Sequence, residues 1–315
     1  MPAVTATAPG KIILFGEHAV VYGRPAIAVP VNQVRSRAVV NPEPAAETGR
    51  VTIQAPDIGL SATMDQLPQN HPIRFVVERV VSVSGASRLP ACTIRVTSSI
   101  PFSSGMGSSA AVSVALIRAF SGFLGRPLSD ELVSDLAFEV EKIQHGTPSG
   151  IDNTVITYAV PVFYQKGSQI ERLKINSAIT LVIADSGLTS STAETVADVR
   201  RGWEGDAARY EELFDQIGDI SRKARDIIIS GNPGSLGSLM NQNQTLLKKI
   251  GVSSETLDSF VETAMASGAL GAKLSGGGRG GNIIALVSED STTFVADALK
   301  KAGAERVFTT RILSN

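Results

Sequence analysis

Pro101-Phe102-Ser103-Ser104-Gly105-Met106-Gly107-Ser108-Ser109-Ala110-Ala111 is the stretch on which the reading of this chain turns. A strand-like run, residues 92–97, precedes it. A long apolar segment, residues 109–124, follows it with Arg118 as its only charge. A helix that apolar on every side is expected to be buried. Gly105 and Gly107 can take positive φ and let a ligand approach the backbone. The opening amides of a helix have no intrahelical acceptor and sit at the positive end of its dipole, which suits an anion, most often a phosphate. Ser103, Ser104, Ser108 and Ser109 add hydroxyls at the same place. A Gly/Ser loop alone reads first as an ordinary turn and cap. The buried helix behind it favours an anion site.

The loop lacks the Gly-Lys-Ser/Thr ending of a Walker A motif, and its glycines do not have the dinucleotide-binding spacing.

The totals bound the rest. A length of 315 residues suggests two domains, and 43% apolar content supports a sizeable core. A net charge of −1 gives no general attraction to nucleic acid or an anionic membrane, so an anion site must be local. The single cysteine, Cys92, excludes an internal disulfide and a multi-thiolate metal site, and its place in a strand-like run marks it as a core residue. No signal peptide and no run of 18 apolar residues is visible, so the expectation is a soluble, cytoplasmic protein without nucleic-acid or membrane partners. A homodimer is compatible with everything in the sequence.

Along the chain, residues 4–9, 11–15, 26–31, 34–40, 51–54 and 60–64 read as strands, and residues 72–83 have helical spacing. Residues 41–49 read as a surface loop. A helix is expected over 129–145, with Ser129 as N-cap and Leu132, Val133, Leu136, Ala137, Val140 and Ile143 on its apolar face. Residues 160–164 and 170–173 read as a hairpin, after which a boundary is expected, giving domains 1–173 and 174–315. The second half alternates strands (179–184, 272–274, 282–287, 306–311) with helices (191–203, 207–229, 234–250, 254–267, 291–302). The class is α+β. His71 belongs to no motif and is expected at the surface.

A second constellation is Glu141, His145, Gly146, Pro148, Ser149, Gly150 and Asp152. Glu141 lies four residues before His145 on one helix face. Thr147 can cap a new helix with Pro148 at its first position, which puts Asp152 near that helix's start. Two carboxylates at helix ends suit two jobs. One can hold a divalent cation with a loop hydroxyl, and the other can accept a proton from a substrate hydroxyl.

The loop resembles the phosphate loop of the GHMP kinases, Pro-x-x-x-Gly-Leu-Gly-Ser-Ser-Ala, with Met106 for the leucine. His145-Gly146-Thr147-Pro148-Ser149-Gly150-Ile151-Asp152 resembles the middle motif of the branch that phosphorylates mevalonate. The opening, Pro9-Gly10-Lys11-Ile12-Ile13-Leu14-Phe15-Gly16-Glu17-His18-Ala19-Val20-Val21-Tyr22-Gly23, is similar to the same branch. Lys273-Leu274-Ser275-Gly276-Gly277-Gly278-Arg279-Gly280-Gly281-Asn282 resembles the family's third motif, with Arg279 in place of a glycine and Asn282 in place of a cysteine.

The resemblance implies a ribosomal-protein-S5-like α/β domain followed by a ferredoxin-like α+β domain, with nucleotide and acceptor meeting between them. It implies ATP held by Pro101, Ser103, Ser104, Gly105, Met106, Gly107, Ser108, Ser109 and Ala110, and Mg2+ held by Ser109 and Glu141. Asp152 would be the catalytic base, and Lys11 would stabilise the transferring phosphoryl group. Glu17, His18, Ser149, Gly150, Thr192 and Gly277 would bind mevalonate. The third motif's glycines would let the second domain approach the phosphates, and Arg279 would either add a cation there or point to solvent. Other acceptors within the family, a decarboxylase of the same fold, and a non-catalytic ligand sensor are the alternatives.

Overall fold

The computed structural model describes residues 2–86, 89–101, 104–145 and 148–313. Phe102, Ser103, Gly146 and Thr147, all quoted above, lie outside the described residues. The chain divides into two compact units that interleave along it. One comprises Met1–Gly10, Val34–Pro101 and Gly107–Ala159, the other Lys11–Gln33, Phe102–Met106 and Val160–Asn315.

The first strand, β1 (Val4–Phe15), runs straight through Pro9-Gly10, where two strands were expected. It pairs with β2 alone (Ala26–Pro42), and a strand with one neighbour tolerates the missing N–H of proline. β2 is likewise continuous, so the expected loop begins only after Pro42. β3 (Val51–Ala55), β4 (Leu60–Thr63), α1 (Pro72–Ser84) and β5 (Cys92–Ser98) follow. In the first unit the strand order is β4-β3-β5-β2, with β3 parallel to β5 and the other pairs antiparallel. Cys92 is buried, and burial pushes its thiol up to about 12, in keeping with a core role. His71 departs from expectation. It is half-buried, and its Nδ1 is buried without a hydrogen-bond partner.

Three helices complete this unit: α2 (Ser108–Phe123), α3 (Asp130–His145) and α4 (Ile151–Tyr158). α2 is buried along most of its length, as its composition requires. Arg118, its one charge, donates to Asp130 and to the carbonyl of Thr157. Ser129 caps α3 by accepting from the Leu132 amide at 3.4 Å. The buried face of α3 carries Val133, Leu136, Ala137, Val140 and Glu141, while Ile143, expected on that face, is 42% exposed.

In the second unit, residues 26–28 of β2 pair with β6 (Val162–Tyr164), which pairs with β7 (Glu171–Arg172). Beyond these come β8 (Ile179–Asp185), α5 (Thr192–Gly205), α6 (Ala207–Ser230), α7 (Leu236–Lys249), α8 (Glu255–Ala266), β9 (Gly271–Ser275), β10 (Asn282–Leu286), α9 (Thr292–Lys301) and β11 (Arg306–Ile312). The sheet order β11-β8-β10-β9, antiparallel throughout, is the expected ferredoxin-like arrangement. β9 lies at an edge, and α7 covers it. Asn241 Oδ1 accepts from the Ala272 amide and Gln244 Oε1 from the Leu274 amide, satisfying donors that a neighbouring strand would otherwise take. Gly237 and Gly271 allow this approach, since a Cβ on Gly237 would lie 2.1 Å from the Leu270 carbonyl oxygen.

Candidate active site

The first unit holds the opening of α2. Gly107 takes the left-handed conformation (φ 71, ψ 34) and starts the helix without a side-chain cap. Gly105 in the preceding loop also has φ 71, with open space where a side chain would stand. Both behave as their residue type predicts. One residue into α2, Ser109 Oγ donates to Glu141 Oε1 at 2.7 Å. Glu141 is 5% exposed, so α3 delivers a buried carboxylate to the start of α2. Both donors are oxygens, the preference of a hard divalent cation. Among the described residues no cluster of three or more His, Cys, Asp or Glu could hold a metal ion. A cation here would therefore need ligand oxygens as well.

Asp152 sits in the first turn of α4. The helix starts at Ile151, not at Pro148 as expected, because Gly150 at φ 87 turns the chain immediately before it. Ser149 Oγ accepts from the Ile151 amide at 3.3 Å, and Thr154 Oγ1 donates to the Gly150 carbonyl at 2.7 Å. Asn153 is buried and donates to the carbonyl and hydroxyl of Ser134 on α3. Asp152 is thus presented by a helix fastened on either side of it.

The second unit holds the N-terminal motif. Lys11 is buried, and its amide donates to the Met106 carbonyl at 3.0 Å, tying β1 to the glycine loop. Gly16, at φ 96, passes so close to the next strand that a Cβ would lie 2.5 Å from the Pro25 carbonyl oxygen. His18 then has φ 59 and ψ −48, and the Ala19 amide donates to the Glu17 carbonyl at 2.6 Å. This is a γ-turn with positive φ at a non-glycine residue, a conformation worth about 1–3 kcal/mol of strain that persists only where the surroundings over-determine it.

Those surroundings are visible. His18 Nε2 lies 2.9 Å from the Gly277 carbonyl oxygen, which can only accept, so Nε2 carries the proton. Burial pushes the His18 imidazole down to about 4, against the raising effect of that hydrogen bond and with Arg279 adding to the fall. His18 is therefore neutral near pH 7. The helical turn Ala19–Tyr22 that follows is clamped to α6. Tyr22 stacks on Phe214 at 4.2 Å, and Arg24 binds Asp215 and Glu211.

Glu17 is fully enclosed and pairs with Lys273 of β9. Burial pushes the carboxyl up and the ammonium down, each opposed by the other's charge. Thr192 opens α5 behind the N-cap Ser191 and packs on Gly277, where a Cβ would lie 2.8 Å from Thr192 Oγ1.

A scan of family sequence models finds the GHMP kinases N terminal domain over residues 72–160 and the GHMP kinases C terminal domain over residues 224–305. The mevalonate kinase of Thermococcus sibiricus is 38% identical over 325 residues, covering 97% of this chain and 95% of that protein. The chain belongs to the GHMP kinase family. Among solved structures, L. major mevalonate kinase in complex with R-mevalonate superposes with a TM-score of 0.83 at 31% identity, covering 99% of this chain and 96% of that one. The Methanococcus jannaschii mevalonate kinase superposes with a TM-score of 0.85 at 27% identity, covering 99% and 98%.

Within this GHMP kinase the structure brings together Ser109 with Glu141 in one unit, and Glu17, His18, Thr192 and Gly277 in the other. Ser103 lies outside the described residues. Arg279 takes φ 60, the left-handed region in which glycine is at ease. It is no spare cation, because its guanidinium binds Asp198 and the Gly251 carbonyl. Asn282 donates to the Ser104 carbonyl at 2.6 Å, holding the glycine loop from β10. The third motif's glycines answer first to the protein's own backbone. A Cβ would lie 2.0 Å from the Val252 oxygen at Gly278 and 2.4 Å from the Leu188 oxygen at Gly280.

Two contacts escaped sequence reasoning. The hold of Asn153 on α3 gave no signal. Lys273, quoted in the third motif without a role, did: a lysine between Ala272 and Leu274 is out of place in a buried strand.

Proposed function

We propose that this kinase transfers the γ-phosphoryl group of ATP to the 5-hydroxyl of mevalonate, giving 5-phosphomevalonate and ADP, in the cytoplasm. The observation that carries the phosphotransfer half is the 2.7 Å contact of Ser109 with Glu141 at the uncapped start of a buried helix. Support for the acceptor comes from relatives called mevalonate kinase along nearly the whole chain and from a fold shared with one of them in complex with R-mevalonate.

In this reading the backbone and hydroxyls from Pro101 to Ala110 hold the phosphates. Ser109 and Glu141 would hold Mg2+, which when bound neutralises phosphate charge. Asp152 accepts the proton of the attacking hydroxyl, and Lys11 offsets charge on the transferring group. Glu17, His18, Ser149, Gly150, Thr192 and Gly277 form the acceptor side. Phosphoryl transfer is mostly positioning and electrostatics, so such a set suffices without a covalent intermediate. In this reading the functional division falls at residues 1–173, with phosphate loop and base, and 174–315, with the third motif, a division by motif that differs from the interleaved compact units.

Purified protein with ATP and Mg2+ is offered mevalonate, phosphomevalonate, galactose and homoserine in turn, and ADP and CO2 are scored. ADP released with mevalonate, without CO2, is the expected result. Turnover with another acceptor only, or CO2 release, overturns the proposal.

A further inference from the structure

Three contacts, two from β9 and one from the glycine turn that follows it, hold the N-terminal motif. Lys273 Nζ binds Glu17 and the Leu274 carbonyl, Ser275 Oγ donates to the Ile13 carbonyl at 2.8 Å, and the Gly277 carbonyl accepts from His18 at 2.9 Å. Residues two apart in a strand share a face, so Lys273 and Ser275 of β9 point to the same side, and the turn at Gly276 (φ 92) then brings the Gly277 carbonyl to His18. Lys273 is fully buried in this face, opposite Ile284 of β10. It has no path to solvent, and its charge is answered by Glu17. The partner it fixes is the residue whose carbonyl closes the γ-turn at His18. Glu17 Oε2 is buried without a hydrogen-bond partner; Lys273 is the cation bound to Oε1, and Lys11 adds a smaller Coulomb attraction.

We propose that Lys273 is a positioning residue for the acceptor: through Glu17 it holds the strained turn that sets the tautomer and aim of His18. The acceptor half of this statement rests on the function proposed above, while the His18 half does not. Removing the cation leaves a buried carboxylate that must protonate or move, and the turn loses one of the constraints that keep His18 at positive φ. The nearby Gly277 carbonyl then no longer meets the ring at hydrogen-bond distance.

Three variants test this: Lys273→Met, Glu17→Gln, and the two combined. The double variant is neutral and removes the unpaired buried charge, so it carries the test if either single variant fails to fold. Thermal midpoints are expected to fall in the singles and recover in the double. The mevalonate KM is expected to rise about tenfold or more in all three, with the ATP KM within about twofold of the parent. A double variant whose mevalonate KM returns to the parental value along with its midpoint would show that the pair serves stability alone, and would overturn the proposal. The second readout needs no substrate. Ligand-free parent protein should show a slowly exchanging His18 Nε2–H in a 1H–15N imidazole correlation, and the double variant should lose it. Retention of that signal in the double variant overturns the proposal even if the acceptor proves not to be mevalonate.

Discussion

Ser109 and Glu141 are 32 residues apart in sequence, yet the hydroxyl of one donates to the carboxylate of the other at 2.7 Å. The contact joins the first turn of α2 to the buried face of α3. It places a serine and an acid where the helix dipole and a glycine loop already favour phosphate oxygens. Under the proposed function the pair would supply two of the oxygen ligands of a divalent cation.

Glu141→Gln should therefore raise the free Mg2+ needed for half-maximal rate by about tenfold or more, and Ser109→Ala should act in the same direction. Initial rates against free Mg2+ at saturating ATP measure it. An unchanged titration for Glu141→Gln removes Glu141 as a ligand.

Asp152→Asn keeps the size of the side chain and removes the proton acceptor. Turnover should fall by about 10²–10⁴-fold. Equilibrium binding of ATP, followed by calorimetry, should change by less than about twofold. Near-normal turnover would dismiss Asp152 as the base.

His18 gives a pH prediction with a definite sign. Its imidazole is held down to about 4 in the folded chain against an ordinary value of 6.5. Between those values the unfolded chain takes up a proton that the folded one refuses, so His18 favours unfolding as pH falls from about 6.5 toward 4. The effect builds to about 3 kcal/mol by the lower limit. Other groups titrate in the same range, so the measurement is a difference: urea unfolding of the parent against His18→Asn at pH 7 and pH 4.5. Asparagine tolerates positive φ. The parent should lose more stability than the variant on acidification, and equal losses would rule the assignment out.

Gly237→Ala reverses a common rule. Within a helix, alanine normally stabilises by about 1 kcal/mol relative to glycine. Here the new methyl would meet the Leu270 carbonyl oxygen at 2.1 Å and push α7 off the edge strand it protects. A net loss of about 1–3 kcal/mol is expected in chemical denaturation. A gain would mean that α7 and β9 are not in such close register.

Local chemistry was legible from residue order. The buried helix α2 could be read from sixteen residues with one charge, and the positive φ of Gly105 and Gly107 from their lack of a side chain. Ser129 as a cap, the hairpin of β6 with β7, and the alternation that ends in a ferredoxin-like sheet were equally plain. The start of α4 was misplaced by three residues because Pro148 looked like a first helical position, whereas Gly150 turns the chain after it. Arg279 was left between two roles, and its pairing with Asp198, 81 residues away, could not be read from the sequence.

Periodicity, capping and turn preference are decided by neighbours within a few positions, so the order of residues alone carried the helices, the glycine loop and the family resemblance of this chain. The meeting of Lys273 with Glu17 across 256 positions, of Ser109 with Glu141, and of Gly277 with both His18 and Thr192 depends on strand register and on how closely helices can pack. Those are properties of the folded chain, because a side chain finds a distant partner only after backbone pairing has fixed where each one stands.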